Sequence, residues 1–297
     1  MKSPLFFLCL SFLSSLSVLH GQDTSTHDIL VDGEPWQEAV SGFAFTDGLA
    51  SDAEGNLLFT DVKSGAGVYK LGPDGKSSLI IDEQPGISGL AYGPGDRLYA
   101  CMSKAGRVVV FEKDGTLKEL VKDVKPNDLI VTKSGFVYFT ETPTKRIHCI
   151  TPDGKTFVAD EGHVVRPNGI TLSADQTCLA VSEHGGKHVW MWQIQADGTL
   201  TGATPTMTML VSPNNAKGEA LGDGATTDEK GRFYVTSESG IQVFDATGRH
   251  SGTIAPPYFG AKIVSVEFAG KEHDWLFVCA GDKIYKRKTI THGAWLK

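Results

Sequence analysis

From residue 45 onward the chain alternates short apolar runs with turn residues at a steady beat. The first copy of the unit is GLASDAEGNLLFTDV followed by GVYKLGPDGKSSLII. Later copies begin GLAYGPGDRLYACM, DLIVTKSGFVYFTE, GITLSADQTCLAVS, GATTDEKGRFYVTS and VEFAGKEHDWLFVC. Each run has strand length, and the breaks between runs are Asp-Gly, Glu-Gly, Ser-Gly and Thr-Gly, the chemistry of tight hairpins. Helical periodicity is scarce. A repeat of about 40 residues with four strands per unit is the signature of a propeller blade, and six units are present. The expected fold is therefore all-β: a six-bladed β-propeller with four-stranded blades, favoured over a β-sandwich, which does not account for a repeat of this length.

The sixth copy, from about Ile263 to Arg287, lacks a clear fourth strand. HDILVDG near the N-terminus reads as a lone strand that completes it, so the ring is expected to close on an N-terminal strand. The fourth copy is longer, and residues Thr201 to Gly218 are expected to form a loop between blades.

Aligning the copies at the start of the first strand puts Asp47, Ser88, Asn127, Asn168, Asp223 and Ser265 in register, all of them polar. First strands line the channel of a propeller, so these side chains should converge on the axis, where burial is costly unless something satisfies them. A cation would do so. Asp47 and Asp223 supply charge, Asn127 and Asn168 carbonyl oxygen, a hard donor set that suits calcium, magnesium or manganese better than structural zinc. Ordered water filling the channel is the other reading. Asp74-Gly75, Asp114-Gly115, Asp153-Gly154 and Asp197-Gly198 read instead as hairpin turns.

Charge and composition narrow the partners. The net charge is −7 and no run of Lys or Arg is long enough to track a phosphate backbone, which argues against nucleic acid. Met1-Lys2-Ser3, an apolar stretch from Leu5 to Leu19 broken only by Ser, and His20-Gly21-Gln22 have the order of a signal peptide. Residues 1–21 are thus expected to be removed on export to a periplasmic or extracellular space. Residues 22–297 should then form one domain with no membrane segment. Cys101, Cys149, Cys178 and Cys279 lie in apolar runs without Cys-x-x-Cys spacing and read as small buried hydrophobes.

TDGLASDAEGNLLFTD, PNDLIVTKSGFVYFTE, RPNGITLSADQTCLAVS and GDGATTDEKGRFYVTS together resemble the SMP-30/gluconolactonase/LRE family of six-bladed propellers, over nearly the whole mature chain. The resemblance implies one divalent cation on Asp47, Asn168 and Asp223, calcium first, with magnesium, manganese and zinc as the other candidates. It implies substrate contacts from Asn127 and Asp128, and from Lys125, where some members carry Arg. Two departures stand out: Asp47 replaces the usual Glu, and Glu141 closes a Phe-Thr-Glu where the family has Phe-Thr-Asp, which places it among the substrate-binding candidates.

The activity implied is a sugar-lactone lactonase in which the cation polarises the lactone carbonyl and Asp223 or Asp128 accepts the proton of the attacking water. A metal-dependent esterase or phosphotriesterase, or a non-enzymatic propeller braced by the ion, are the alternatives. The partner expected is a small lactone or ester. No Gly-x-Ser-x-Gly or His-Glu-x-x-His occurs, so Ser88 reads as a channel residue. Ser265 and His184, the latter in a rim turn, complete the candidate set.

Overall fold

The computed structural model describes residues 26–294 apart from 65, 66, 73 and 85. The leader expected over residues 1–21 lies outside the described residues.

Six four-stranded antiparallel sheets stand around an axis. Blade 1 runs through Thr46–Ser51, Leu57–Asp61, Val68–Leu71 and Ser77–Ile81 from the axis outward. The inner strands of blades 2 to 6 are Ile87–Gly93, Leu129–Val131, Pro167–Leu172, Ala225–Thr227 and Ser265–Ala269. Between successive blades the apolar side chains of facing sheets mesh into separate clusters. Tyr138, Leu179 and Trp192 fill one such seam, and Tyr234, Phe268 and Val278 another. Burial of these rings is the main term holding the blades at their spacing. The four cysteines among the described residues are free, and Cys101, Cys149 and Cys279 are buried within strands.

The ring closes on an N-terminal strand, though a different one from that expected. Gln37–Ser41 pairs with the last strand, Lys283–Lys288, and completes blade 6. HDILVDG instead holds a short 3-10 turn, Thr26–Asp28, and one bridge, Leu30 to Thr289. Its pairing stops where Gly33 takes a φ of 76° and Pro35, which has no N–H to give, follows. The fourth copy also departs from expectation. Leu200–Thr208 is a nine-residue outer strand whose Met207 is fully buried against blade 5, and only the residues after it form the connector. Threonine-rich sequence favours the strand, and Pro205 is tolerated because the strand is an edge.

Candidate functional site

Each inner strand starts at the same end of the ring, and the first residues of all six meet there. Asp47, Ser88, Asn127, Asn168, Asp223 and Ser265 line one cavity of about 150 Å³, together with Phe45, Asp128, Gly224 and Val264. The crowding at the axis explains local sequence. A Cβ on Gly169 would lie 2.1 Å from the Asp223 carbonyl oxygen, so no side chain fits after Asn168. One on Gly89 would lie 2.7 Å from Asp128 Oδ1, so the absent side chain in blade 2 leaves the space that Asp128 of blade 3 uses.

Three carboxyl groups share this enclosed space. Burial raises Asp47 to about 7, opposed by a hydrogen bond from the Gly48 N–H. Burial likewise raises Asp128 to about 7, with the Leu129 N–H opposing and the charge of Asp47 adding. Asp223 is raised well above the usual carboxylate range, first by burial and then by Asp47 and Asp128, while the Asn168 side chain donates to it. Three acids hindered from ionising by confinement, Asp128 and Asp223 also by neighbouring carboxylates, form a site that a positive charge would relieve.

The donor set fits a divalent cation. Asp47, Asn168 and Asp223 come from blades 1, 4 and 5 and present oxygen, with no thiolate or imidazole on the cavity wall. Among the described residues no group of three or more His, Cys, Asp or Glu is spaced as a ready metal cluster. Asp47, Asp128 and Asp223 share the cavity without forming such a group; the set whose chemistry fits is two carboxylates and one amide.

The remaining candidates separate. Ser88 donates its hydroxyl to the Asn127 carbonyl at 2.5 Å and receives one from Ser103 at 2.9 Å, so it is a wall residue held in place. The Asn127 side chain makes no hydrogen bond among the described residues and faces the cavity. Ser265 is weakly engaged by the Leu49 N–H at 3.4 Å. His184 stands behind Asn168, its Nδ1 3.4 Å from the Asn168 amide nitrogen and 3.2 Å from the Gly222 carbonyl oxygen. Lys125 is exposed at the rim, off the cavity wall.

Glu141 is not where a substrate contact would be. It is buried, with Oε1 accepting the Lys125 N–H at 2.7 Å and Oε2 engaged by Thr144 at 2.6 Å and His148 at 3.0 Å, and it is absent from the cavity wall. It reaches back to the loop before Asn127 and across to His148, which stacks flat on Phe139.

One acid escaped the sequence alignment. Pairing to the second strand places Ala50, Ala91, Ile130, Thr171, Thr226 and Glu267 at a common level below the polar ring, opposite Leu58, Tyr99, Tyr138, Ala180, Tyr234 and Phe277. Glu267 is the single charged group at this level. Its Oε1 accepts the Phe268 N–H at 2.8 Å and the Thr226 hydroxyl at 3.4 Å. It lines a smaller cavity, about 70 Å³, toward the far end of the channel. Burial raises it to about 8, with the Asp128 charge contributing.

Fold and site together define a six-bladed propeller with an acidic, amide-bearing axial cavity open at one face. The chain matches the SMP-30/gluconolactonase/LRE-like region over residues 45–282 and belongs to that family. It is 24% identical to a gluconolactonase of Zymomonas mobilis, over 90% of this chain and 85% of that protein. A solved gluconolactonase from Xanthomonas campestris superposes with a TM-score of 0.76 at 22% identity, covering 88% of this chain and 91% of that one. Regucalcin from Agrobacterium tumefaciens, described as a calcium-binding protein, superposes with a TM-score of 0.70 at 15% identity over 89% of this chain and 98% of that one.

Proposed function

We propose that this chain is a divalent-cation-dependent lactonase that opens the ring ester of a sugar lactone. The observation that carries the reading is the convergence of Asp47, Asn168 and Asp223 with Asp128 and Asn127 on one cavity at the axis. Family membership and the gluconolactonase relative support it.

Asp47, Asn168 and Asp223 would hold the ion, calcium first, and regucalcin's description supports that choice. When bound, such an ion supplies positive charge that polarises the lactone carbonyl and offsets the oxyanion as water adds. Asp128, outside that trio and with its proton affinity raised to about 7, takes the proton from the water and returns it to the departing ring oxygen. Asp223 is the alternative base. Asn127 binds a substrate hydroxyl or the carbonyl edge, and Phe45 covers one side of the mouth. The leader-like residues 1–21 support an exported enzyme, which the mass of the mature protein would test.

The test is turnover of a panel of sugar lactones, aryl esters and phosphotriesters, with and without chelator. Hydrolysis of a lactone that stops with chelator and returns with calcium supports the reading. Absence of turnover on every lactone, with ion bound, would replace it by a binding propeller, and turnover of aryl esters or phosphotriesters alone would move it to those classes. Asp128→Asn should lower kcat at least about 100-fold, the span of general-base contributions, with ion affinity retained. If Asp128→Asn turns over normally and Asp223→Asn does not, the base is Asp223.

A further inference from the structure

Five of the six blades place a cation above the cavity mouth. Lys125 and Arg166 each stand two residues ahead of a ring residue, Asn127 and Asn168, and Lys262 stands two ahead of the wall residue Val264. In blades 1 and 2 the position two ahead of the ring residue is Phe45 and Gly86, neither charged, and a lysine from the neighbouring loop lies over each. Lys63 Nζ sits 4.6 Å from the centroid of the Phe45 ring. Lys104 donates its backbone N–H to the Gly86 carbonyl at 3.4 Å, and its Cβ is 2.4 Å from where a Gly86 Cβ would be. Cations from the strand-entry loops of blades 3, 4 and 6 and from the neighbouring loops of blades 1 and 2 thus stand on the same face.

All five side chains are exposed, and none forms an ion pair among the described residues. Lys283 pairs with Glu38 and Lys288 with Asp274, while Lys122, Lys145 and Lys187 on the same face are, like the five, outside any ion pair among the described residues. Acids of the same face lie toward the outer ends of the connectors, at Asp82, Glu83, Asp123 and Glu161, where each connector leaves its outermost strand. Nearer the inner ends, blade 5 offers Glu219 and Glu238 and blade 6 Asp282, with Leu221 at the position two ahead of Asp223. In a chain of net charge −7, five exposed cations thus stand on the face where the inner strands begin.

Cations spaced around a concave mouth focus positive potential on whatever enters, raising encounter rates for anions by about 10- to 1,000-fold at low salt. A lactone bearing only hydroxyl groups gains nothing comparable. Resting on the lactonase reading above, we propose that Lys63, Lys104, Lys125, Arg166 and Lys262 select lactones that carry a second, anionic group away from the ring ester. Arg166 suits a carboxylate or phosphate through its fork of donors, and the four lysines act as mobile point charges.

A matched pair of γ-lactones tests this: glucaro-1,4-lactone, with a free carboxylate, against uncharged glucono-1,4-lactone. At low ionic strength kcat/KM should favour the acid lactone by at least about tenfold, and the preference should shrink as salt shortens the screening length to a few Å. The triple variant Lys104→Gln, Arg166→Gln, Lys262→Gln should reduce that ratio toward one through the KM of the acid lactone. Its melting curve verifies the fold. Equal kcat/KM for the two lactones, or a variant that lowers both alike, overturns the proposal while leaving the lactonase intact. If neither lactone is opened, the lactonase reading is what fails. Calorimetry with the glucarate dianion on calcium-loaded protein then judges the rim: salt-sensitive binding lost in the variant upholds it, and no binding sinks it.

Discussion

The Asp61 carboxylate accepts the backbone N–H of Phe45 at 2.8 Å, two residues ahead of Asp47. Its other oxygen takes the Ala44 N–H, also at 2.8 Å. The arrangement recurs where a second strand ends in an acid: Glu141 holds the Lys125 N–H at 2.7 Å, and Glu183 holds the Val165 N–H at 3.0 Å. Each acid anchors the loop that delivers a ring residue, so the axial site is set from one strand further out. Replacing Asp61 by Ala leaves two backbone donors without partners, at about 1–3 kcal/mol each where they are buried. The expected result is a divalent-ion affinity lowered about 10- to 100-fold, as for other outer partners of metal ligands. Glu141→Ala should instead raise KM with ion affinity nearly unchanged, because it anchors Asn127, which is outside the ion-holding trio. Calorimetry and steady-state kinetics on both variants check the split.

The three cavity acids link stability to pH. Asp47 and Asp128 are raised to about 7 and Asp223 well above its usual range, all first by burial, against about 3.9 in an unfolded chain. Between those values the folded state holds protons that the unfolded state has released. Their contribution to stability is therefore full below about pH 4 and is lost as pH rises through 7. With chelator, the melting temperature should fall from pH 5 to pH 8 more steeply than in Asp47→Asn. Calcium should remove most of the difference and release protons on binding near pH 6. A wild-type slope no steeper than the variant's would contradict this.

Glu267 gives the cleanest single-site case. Burial raises its carboxyl to about 8, against about 4.3 in an unfolded chain, so its contribution to stability is full below about pH 4 and is lost progressively as pH rises to 8. Glu267→Gln preserves the shape and an oxygen for the Phe268 N–H and Thr226 hydroxyl while removing the charge. The variant should melt alongside wild type near pH 4 and progressively above it up to a few degrees or more at pH 9, since about 1 kcal/mol moves Tm by 2–4 °C in chains near this size. Equal melting temperatures at pH 9 would count against a confined charge.

What the sequence makes legible here is the part the repeat repeats. Asp47, Asn127, Asn168 and Asp223 open their first strands at one register, and convergence on the axis follows from the architecture alone. Glu267 hides because the inner strands are not uniform. In blades 1, 2 and 4 the register shifts just after the ring residue, between Asp47 and Ala50, Ile87 and Gly89, and Pro167 and Ile170. Asn127–Asp128 and Asp223–Gly224 straddle Thr140 and Thr236 in the same way, whereas blade 6 pairs without interruption. A linear count from the ring thus sets Glu267 beside Leu49 and Leu90, though pairing sets it beside Ala50 and Ala91. The closing strand was hidden for a different reason: HDILVDG alternates as well as Gln37–Ser41 does, and only the turn at Gly33 decides between them. Glu141's departure from the cavity follows from its partners, the Lys125 N–H and His148, which no linear pattern links to it.

Closure of the ring yields the last prediction. Asp228 is fully buried and gathers Arg232 Nε at 2.6 Å, the Tyr234 hydroxyl at 2.8 Å and the Thr291 hydroxyl at 3.2 Å on one oxygen. Its other oxygen takes the N–H groups of Lys230 and Arg232, each at 3.0 Å. Arg232 in turn reaches the Asp28 carbonyl at 3.3 Å, so one ion pair ties blade 5 to segments from both ends of the chain. Removing only the carboxylate strands a buried guanidinium, a loss of about 3–5 kcal/mol, whereas replacing both partners by apolar residues of like volume costs far less. Asp228→Ala should therefore lower Tm by on the order of 10 °C, and Asp228→Leu with Arg232→Met should recover most of it. Hydrogen exchange should quicken first at the Ile290 and Gly293 amides, which bond to Ile29 and His273, before the inner strands respond. If exchange instead rises evenly around all six blades, the pair is not a local clasp, and the propeller opens as one unit.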